Sequence, residues 1–98
     1  MLSRAEAIVK AENYLESRHH DSIWNLVDET ECVASHGIGL IYVFIYLIDD
    51  SLCVGIDVFA DGATVTDATD NNFRWNAIAR KVEWGYFGDQ RRPPIVIQ

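Results

Sequence analysis

The chain has 98 residues, which is the size of one domain with one hydrophobic core, and we expect a single domain over residues 1–98. Apolar residues make up 49% of it and charged residues 23%, a balance typical of globular proteins that excludes a disordered chain. Eight Lys and Arg against fifteen Asp and Glu give a net charge of −7. That charge argues against nucleic acid and anionic membranes as partners, because both repel an acidic protein.

The first predicted element is an amphipathic helix over about residues 4–18. Ser3 and Glu6 have the spacing of a capping box, and Ile8, Ala11 and Leu15 recur at helical spacing. The chain start lacks the basic and apolar regions of a secretory signal, and the longest apolar run has nine residues against about 20 needed to span a bilayer. We therefore expect a cytoplasmic protein.

An antiparallel meander of three to four strands is predicted after this helix. The predicted strands span residues 23–34, 40–48, 52–59 and the segment beginning at 63–66. In the first strand, strict alternation places Trp24, Leu26 and Thr30 on an apolar face and Glu29 and Glu31 on the other. The second strand is apolar on both faces, as in a central strand covered on both sides or with one face in an interface. Turns are predicted at 49–51 and at Asp61-Gly62.

A second helix is predicted near residues 72–84. Trp75, Ile78, Ala79 and Val82 follow one another at helical spacing, with caps available at 70–72 and at Gly85. The segment 95–97 is predicted to form a short edge strand, because Pro94 cannot donate to a strand ladder. The predicted fold class is α+β: an N-terminal helix packed on an antiparallel β-meander, then a second helix and a short C-terminal edge strand.

Three possible chemical sites are weak in sequence, and we predict no cofactor, no metal and no catalytic residues. His19, His20 and Asp21 lie at a helix end without metal-ligand spacing, and the loop that would begin at Asp57 lacks the ligands of a calcium site. Two cysteines stand far apart in strand patterns, where thiols are usually inert, near a single turn histidine. These three residues are Cys32, Cys53 and His36. In a reducing cytoplasm the cysteines are expected to be free thiols.

The charges are segregated along the chain. No Lys or Arg occurs between His19 and Phe73, whereas that stretch holds ten acidic residues. They are Asp21, Asp28, Glu29, Glu31, Asp49, Asp50, Asp57, Asp61, Asp67 and Asp70. Such a stretch is typical either of an acidic, soluble surface or of an electrostatic docking face for a basic protein.

The element order and a loose residue pattern carry a resemblance over about the first two thirds of the chain. The pattern consists of Ala7, Lys10, Ala11, Tyr14 and Leu15 in the helix and the run IDVFADGATV at 56–65. In these features the chain resembles small bacterial immunity proteins, namely the YrhB-like toxin-immunity domains and the immunity proteins of contact-dependent inhibition systems. The second predicted helix and the Arg91–Pro94 segment match neither family.

The resemblance implies a non-enzymatic protein that binds and neutralises a cognate toxin, often a nuclease. An acidic meander agrees with a basic toxin, since surfaces that bind phosphates are basic. The expected toxin-binding residues are Asp28, Glu29, Glu31, Asp49, Asp50 and Asp57.

Two further hypotheses come from the residues. A cystatin-like or nuclear-transport-factor-like domain would bind a small molecule, or act as an enzyme, in a cleft between helix and sheet, with Asp57 as a general base. A homodimer would pair through the face that carries Tyr42, Phe44 and Tyr46. The expected state is a monomer or a weak homodimer.

Overall fold

The computed structural model describes residues 1–33, 39–50, 52–62, 65–67, 74–76, 78–83 and 95–96. Within these ranges the elements are α1 (Arg4–Arg18), β1 (Trp24–Val33), β2 (Leu40–Ile48), β3 (Leu52–Phe59), β4 (Val65–Asp67), β5 (Arg74–Asn76), β6 (Lys81–Glu83) and β7 (Ile95–Val96). An antiparallel sheet has the strand order β4-β3-β2-β1-β7, and β5 and β6 form a separate two-stranded hairpin. The predicted α+β class, N-terminal helix, meander and C-terminal edge strand are confirmed, with Ile97 outside the described residues.

Helix α1 forms as its sequence predicts. The Ser3 hydroxyl accepts from the Glu6 amide at 3.2 Å, and the Glu6 carboxylate accepts from the Ser3 amide at 2.9 Å, which completes the capping box. Ala7, Ala11 and Leu15 are fully buried. Because two of these three residues are alanines, the helix axis can approach the sheet closely.

The central strand β2 is covered on both faces by parts of the same chain. One face, called here the helix face, packs Tyr42, Phe44 and Tyr46 against the buried side of α1. The opposite face carries Ile41, Val43 and Ile45, which pack with Val82 of β6 and with the partly buried Trp75 of β5; it is called here the hairpin face. The doubly apolar sequence of β2 is thereby explained without an intermolecular interface.

The predicted second helix is wrong over the described residues 74–76 and 78–83, which form the β5–β6 hairpin instead. Trp75 lies directly opposite Val82 in this hairpin. Seven residues apart, the two side chains would also share a helix face, so their spacing does not distinguish the two structures. Ile78, which the predicted helix would bury in the middle of its apolar stripe, is 98% exposed, and this exposure excludes the helix.

The turn between β5 and β6 has local features that a helix would not have. The Asn76 side-chain oxygen accepts from the Ala79 amide at 2.9 Å, whereas in the interior of a helix that amide would donate to a backbone carbonyl. Arg80 has a φ of +52°, in the left-handed region. The caps predicted at 70–72 and Gly85 lie outside the described residues.

A β-bulge in β1 overturns the predicted faces of this strand. The register with β2 shifts between Leu26, which lies opposite Tyr46, and Asp28, which lies opposite Ile45. The extra residue resets the alternation, so Leu26 lies on the helix face while the buried Thr30 lies on the hairpin face. Glu29 and Glu31 share a face as predicted, but this face is the helix face.

Both predicted turns beside β3 are present. Asp49 and Asp50 have φ values of +49° and +60°, which aspartate tolerates better than most residues, and β2 pairs with β3 directly after them. Gly62 has a φ of +82°, and its amide donates to the Phe59 carbonyl at 2.9 Å. The fourth strand is observed at Val65–Asp67, and residues 63 and 64 lie outside the description.

Candidate functional site

Exposed acidic residues collect at the end of the sheet where β2 turns into β3. Asp49 and Asp50 form this turn and are both exposed. The Asp49 amide donates to the Ile23 carbonyl at 2.8 Å, and the Asp49 carboxylate accepts from the Ile23 amide at 3.0 Å. These two bonds fix the turn against the start of β1. The name acidic end is used below for Asp49 and Asp50 together with Asp21, which precedes Ile23 by two residues.

The C-terminus of α1 contributes the surroundings of the acidic end. The side chain of Asp21 is 90% exposed and lies 3.2 Å from His20 Nε2. The guanidinium of Arg18 lies 5.0 Å from the ring centre of Tyr14, a cation–π arrangement that holds it on the helix. The predicted binding residues Asp49 and Asp50 are held by the two hydrogen bonds to Ile23, which lowers the entropic cost of presenting them to a partner.

The three acidic residues of β1 have a different environment. Asp28 follows the bulge, and its carboxylate accepts from the Glu29 amide at 2.8 Å. Glu29 is only 12% exposed and binds Arg4 through both carboxylate oxygens, with a shortest distance of 2.6 Å. Glu31 lies opposite Tyr42 and is half-buried. Because Arg4 neutralises Glu29, this region presents less negative charge than its sequence indicates.

The acidic end and the β1 acids are separate places on the molecule. Asp28 lies opposite Ile45, four residues before Asp49 along the chain. At ~3.3 Å per strand residue the two are about 13 Å apart.

A shallow groove of about 240 Å³ at the bulge is lined by Leu26, Val27, Asp28 and Glu29.

Asp57 does not belong to an exposed surface. It lies in β3 opposite Val43 and Thr66, on the hairpin face, and is 2% exposed. Strand alternation alone makes Asp57 a candidate for a solvated edge position, but β3 lies between β2 and β4 in the sheet. A carboxylate buried there cannot contact a partner in this conformation.

Two apolar residues beside the acidic end were not predicted as part of a site. Ile23 is 73% exposed and Leu52 is 48% exposed. Ile23 is hydrogen-bonded to the turn residue Asp49, and Leu52 lies opposite Ile48, the residue before Asp49. In sequence both read as ordinary strand residues, and only the end of the sheet, where cover from other elements stops, distinguishes them.

The interface between α1 and the sheet is filled with side chains. Phe44 and Tyr46 are fully buried and Tyr42 is 8% exposed, with the rings of Tyr42 and Phe44 stacked at 6.2 Å. The Tyr46 hydroxyl lies 3.5 Å from a Glu12 carboxylate oxygen, and burial, followed by the charge of Glu12, raises the pKa of Tyr46. This packing fills the position of the helix–sheet cleft and covers the face through which the homodimer hypothesis would pair.

Among the described residues, the nucleophilic and metal-ligating side chains do not form a reactive cluster. Cys53 is a free thiol, and burial together with the charge of Asp28 raises its pKa to about 11, so it is protonated at neutral pH. Among the residues that the structure describes, no group of three or more His, Cys, Asp or Glu is arranged to hold a metal ion. His36 lies outside these residues.

No protein-family model matches the chain, and neither a curated protein nor a solved structure is significantly similar to it. The resemblance to immunity proteins therefore stays a prediction. Over the described part of the chain, no helix has the length and apolar character required to cross a membrane.

Proposed function

We propose that this protein is a cytoplasmic binding protein that neutralises a basic toxin, in the manner of an immunity protein. The observation that supports the proposal is the stretch between His19 and Phe73, which holds ten acidic residues and no Lys or Arg. A partner with a basic surface, such as a nuclease toxin, would be attracted by this field and would associate faster for it.

The arrangement of the described acids favours binding over catalysis. Asp49 and Asp50 are exposed on a turn that two hydrogen bonds tie to Ile23, one donated by the Asp49 amide and one accepted by the Asp49 carboxylate. Exposed carboxylates on a rigid turn suit recognition of Lys or Arg on another protein, whereas acid–base catalysis needs groups that converge in a pocket.

The test begins with the source cells. The purified protein would serve as bait at low and at raised salt, and captured polypeptides would be identified by mass spectrometry. A captured basic polypeptide would then be expressed alone and together with this protein. We expect it to stop growth when expressed alone and to be tolerated in the presence of this protein.

Charge-neutralised variants sharpen the test. Asp49→Asn with Asp50→Asn removes two charges from the acidic end, and Asn tolerates the left-handed backbone of the turn. Asp61→Asn with Asp67→Asn removes two charges elsewhere and serves as the matched control. The first pair should slow association about tenfold at low salt, and the control much less. A captured polypeptide that is harmless, or that kills cells equally with and without this protein, would contradict the proposal.

A further inference from the structure

We infer that the tip of the β5–β6 hairpin inserts into an apolar, carboxylate-lined cleft of the toxin and occludes it. The tip residues are Ile78, Arg80 and Lys81, which lie in the turn or directly after it. The inference rests on the proposed function, to which it adds a mode of inhibition and the chemistry of the site that is blocked. None of these residues belongs to the acidic set predicted from the sequence.

The tip combines an apolar side chain with two cations, all of them in contact with water. Ile78 is 98% exposed, more than any other large hydrophobic residue that the structure describes, and Arg80 and Lys81 are exposed as well. Single exposed apolar side chains are common on protein surfaces. Here the apolar side chain stands beside two charges, and neither cation takes part in an ion pair with another described residue.

The backbone of the turn gives a second, independent observation. The Asn76 side-chain oxygen accepts from the Ala79 amide at 2.9 Å, which holds the turn in one conformation. Arg80 has a φ of +52°, and this left-handed conformation is strained for arginine but easily adopted by glycine or asparagine. An arginine at a position where a neutral residue fits better indicates that its charge has a use beyond folding.

Insertion suits the arrangement of these side chains better than docking on a flat surface. Trp75 and Val82 pack on the sheet, so Lys81, the neighbour of Val82 in β6, points to the opposite side of the hairpin. Ile78 projects into solvent. Because a convex tip that enters a cleft is surrounded by the walls of the cleft, its side chains need not share one face.

The matching site on the partner is apolar inside and carries carboxylates. An isoleucine is stabilised by losing water in an apolar pocket, and arginine and lysine bind carboxylates. Nucleases that use metal ions hold them through carboxylates at the catalytic centre, whereas the surrounding surface that binds phosphates is basic. In such a toxin the acidic stretch of this chain would meet the basic surface and the tip would meet the catalytic carboxylates.

Part of the acidic stretch lies on the same side of the sheet as the hairpin. Asp28 is opposite Ile45 and therefore on the hairpin face of β1, and β1 is the strand that β6 contacts. One partner can thus contact an acidic residue of the meander and the hairpin together.

The first experiment follows dissociation of the toxin identified by capture and neutralisation, using biolayer interferometry. Ile78→Ser with Lys81→Ser should raise the dissociation rate about tenfold, because both side chains lose water in the complex. Val9→Ser with Lys10→Ser is the matched control, since it removes an exposed valine and the neighbouring lysine from α1. The control should leave the dissociation rate nearly unchanged.

A neutral residue at position 80 separates the role of the charge from folding. Arg80→Asn removes the charge, and asparagine suits the left-handed backbone of the turn. The variant should melt at the same temperature as the wild type or higher, but should dissociate from the toxin about fivefold faster. Unchanged dissociation would show that the charge of Arg80 does not contact the toxin.

Toxin variants test the chemistry of the cleft. Each catalytic carboxylate of the toxin is replaced in turn by its amide, and the dissociation rate is measured with the wild type and with Arg80→Asn. For one of them the two changes together should have little more effect than either alone, as for residues in contact. If every pair is additive, the carboxylate-lined cleft is overturned.

The outcomes distinguish the inference from the proposed function. If Ile78→Ser with Lys81→Ser behaves like the α1 control while neutralisation persists, insertion of the hairpin tip is overturned and the proposed function stands. If no basic toxin is captured, both are overturned.

Discussion

The two faces of the central strand β2 are both buried, but by different kinds of structure. The helix face is covered by the fifteen residues of α1, whose ends and stripe follow helical rules. The hairpin face is covered by two strands of three residues each, β5 and β6. The position of a long amphipathic helix is readable from its own caps and periodicity, although its stability depends on packing, whereas strands of three residues leave no such local pattern.

The comparison predicts a large penalty for a cavity on the helix face. Phe44→Ala should lower the free energy of unfolding by about 3–5 kcal/mol, because Phe44 is fully buried under α1. A loss of that size is a large part of the total of about 5–15 kcal/mol typical of a domain. Urea unfolding followed by circular dichroism measures it, with the exposed Val9→Ala as control. A loss below about 1 kcal/mol would show that α1 does not seal this face.

The same measurement on the hairpin face tests whether β5 and β6 cover the sheet. Val43→Ala removes two carbon atoms from a fully buried position beside Val82. At ~0.8 kcal/mol for each buried carbon, plus a cavity contribution, we expect a loss of about 2 kcal/mol. Thr66→Ala, in the same cross-strand row but exposed, is the control. If Val43→Ala costs no more than this control, the hairpin does not pack on the sheet in solution.

A glycine substitution distinguishes the hairpin from the helix predicted for this segment by the sign of its effect. Arg80 has a φ of +52°, a conformation that costs a residue with a side chain about 1–2 kcal/mol and costs glycine little. Arg80→Gly should therefore stabilise the protein by about 0.5–1 kcal/mol, whereas glycine within a helix would destabilise it by about 1 kcal/mol. Thermal unfolding measures the sign. Ala79→Gly should lower the melting temperature, and a lower value for both variants would favour the helix.

The sequence predicts the helix face better than the hairpin face for a physical reason. Ser3, Glu6 and the buried stripe of α1 give independent signals that agree, because capping and periodicity both depend on local residues. The predicted stripe of Trp75, Ile78, Ala79 and Val82 has helical periodicity, but its two ends are also cross-strand partners in a hairpin. The decision between them depends on contacts with the hairpin face, which lies far away in sequence.

The candidate site divides in the same way. The turn acids Asp49 and Asp50 are predictable, since a hairpin turn between two apolar runs is exposed wherever the strands pack. Asp57 and Glu29 are not, because burial in β3 and pairing with Arg4 depend on sheet order and on the bulge in β1. The exposure of Ile23 depends on where the covering elements end, which no local pattern indicates.

The smallest expected effect concerns the cap that begins α1, on the helix face. Hydrogen bonds from the Ser3 backbone and side chain lower the pKa of Glu6 below its usual value. A carboxyl whose pKa is lower in the folded state stabilises that state above the unfolded pKa of 4.5, and the contribution is lost as pH falls through the folded value.

Glu6→Gln keeps a side-chain oxygen but has no charge. The variant should be slightly less stable than the wild type at pH 7, and the difference should shrink only below pH 4.5, as pH falls through the folded pKa of Glu6. Thermal unfolding from pH 3 to pH 7 measures this difference, with the exposed Glu16→Gln removing the same charge away from the cap. A Glu6→Gln profile that runs parallel to that control would show that the cap carries no charge-dependent stability.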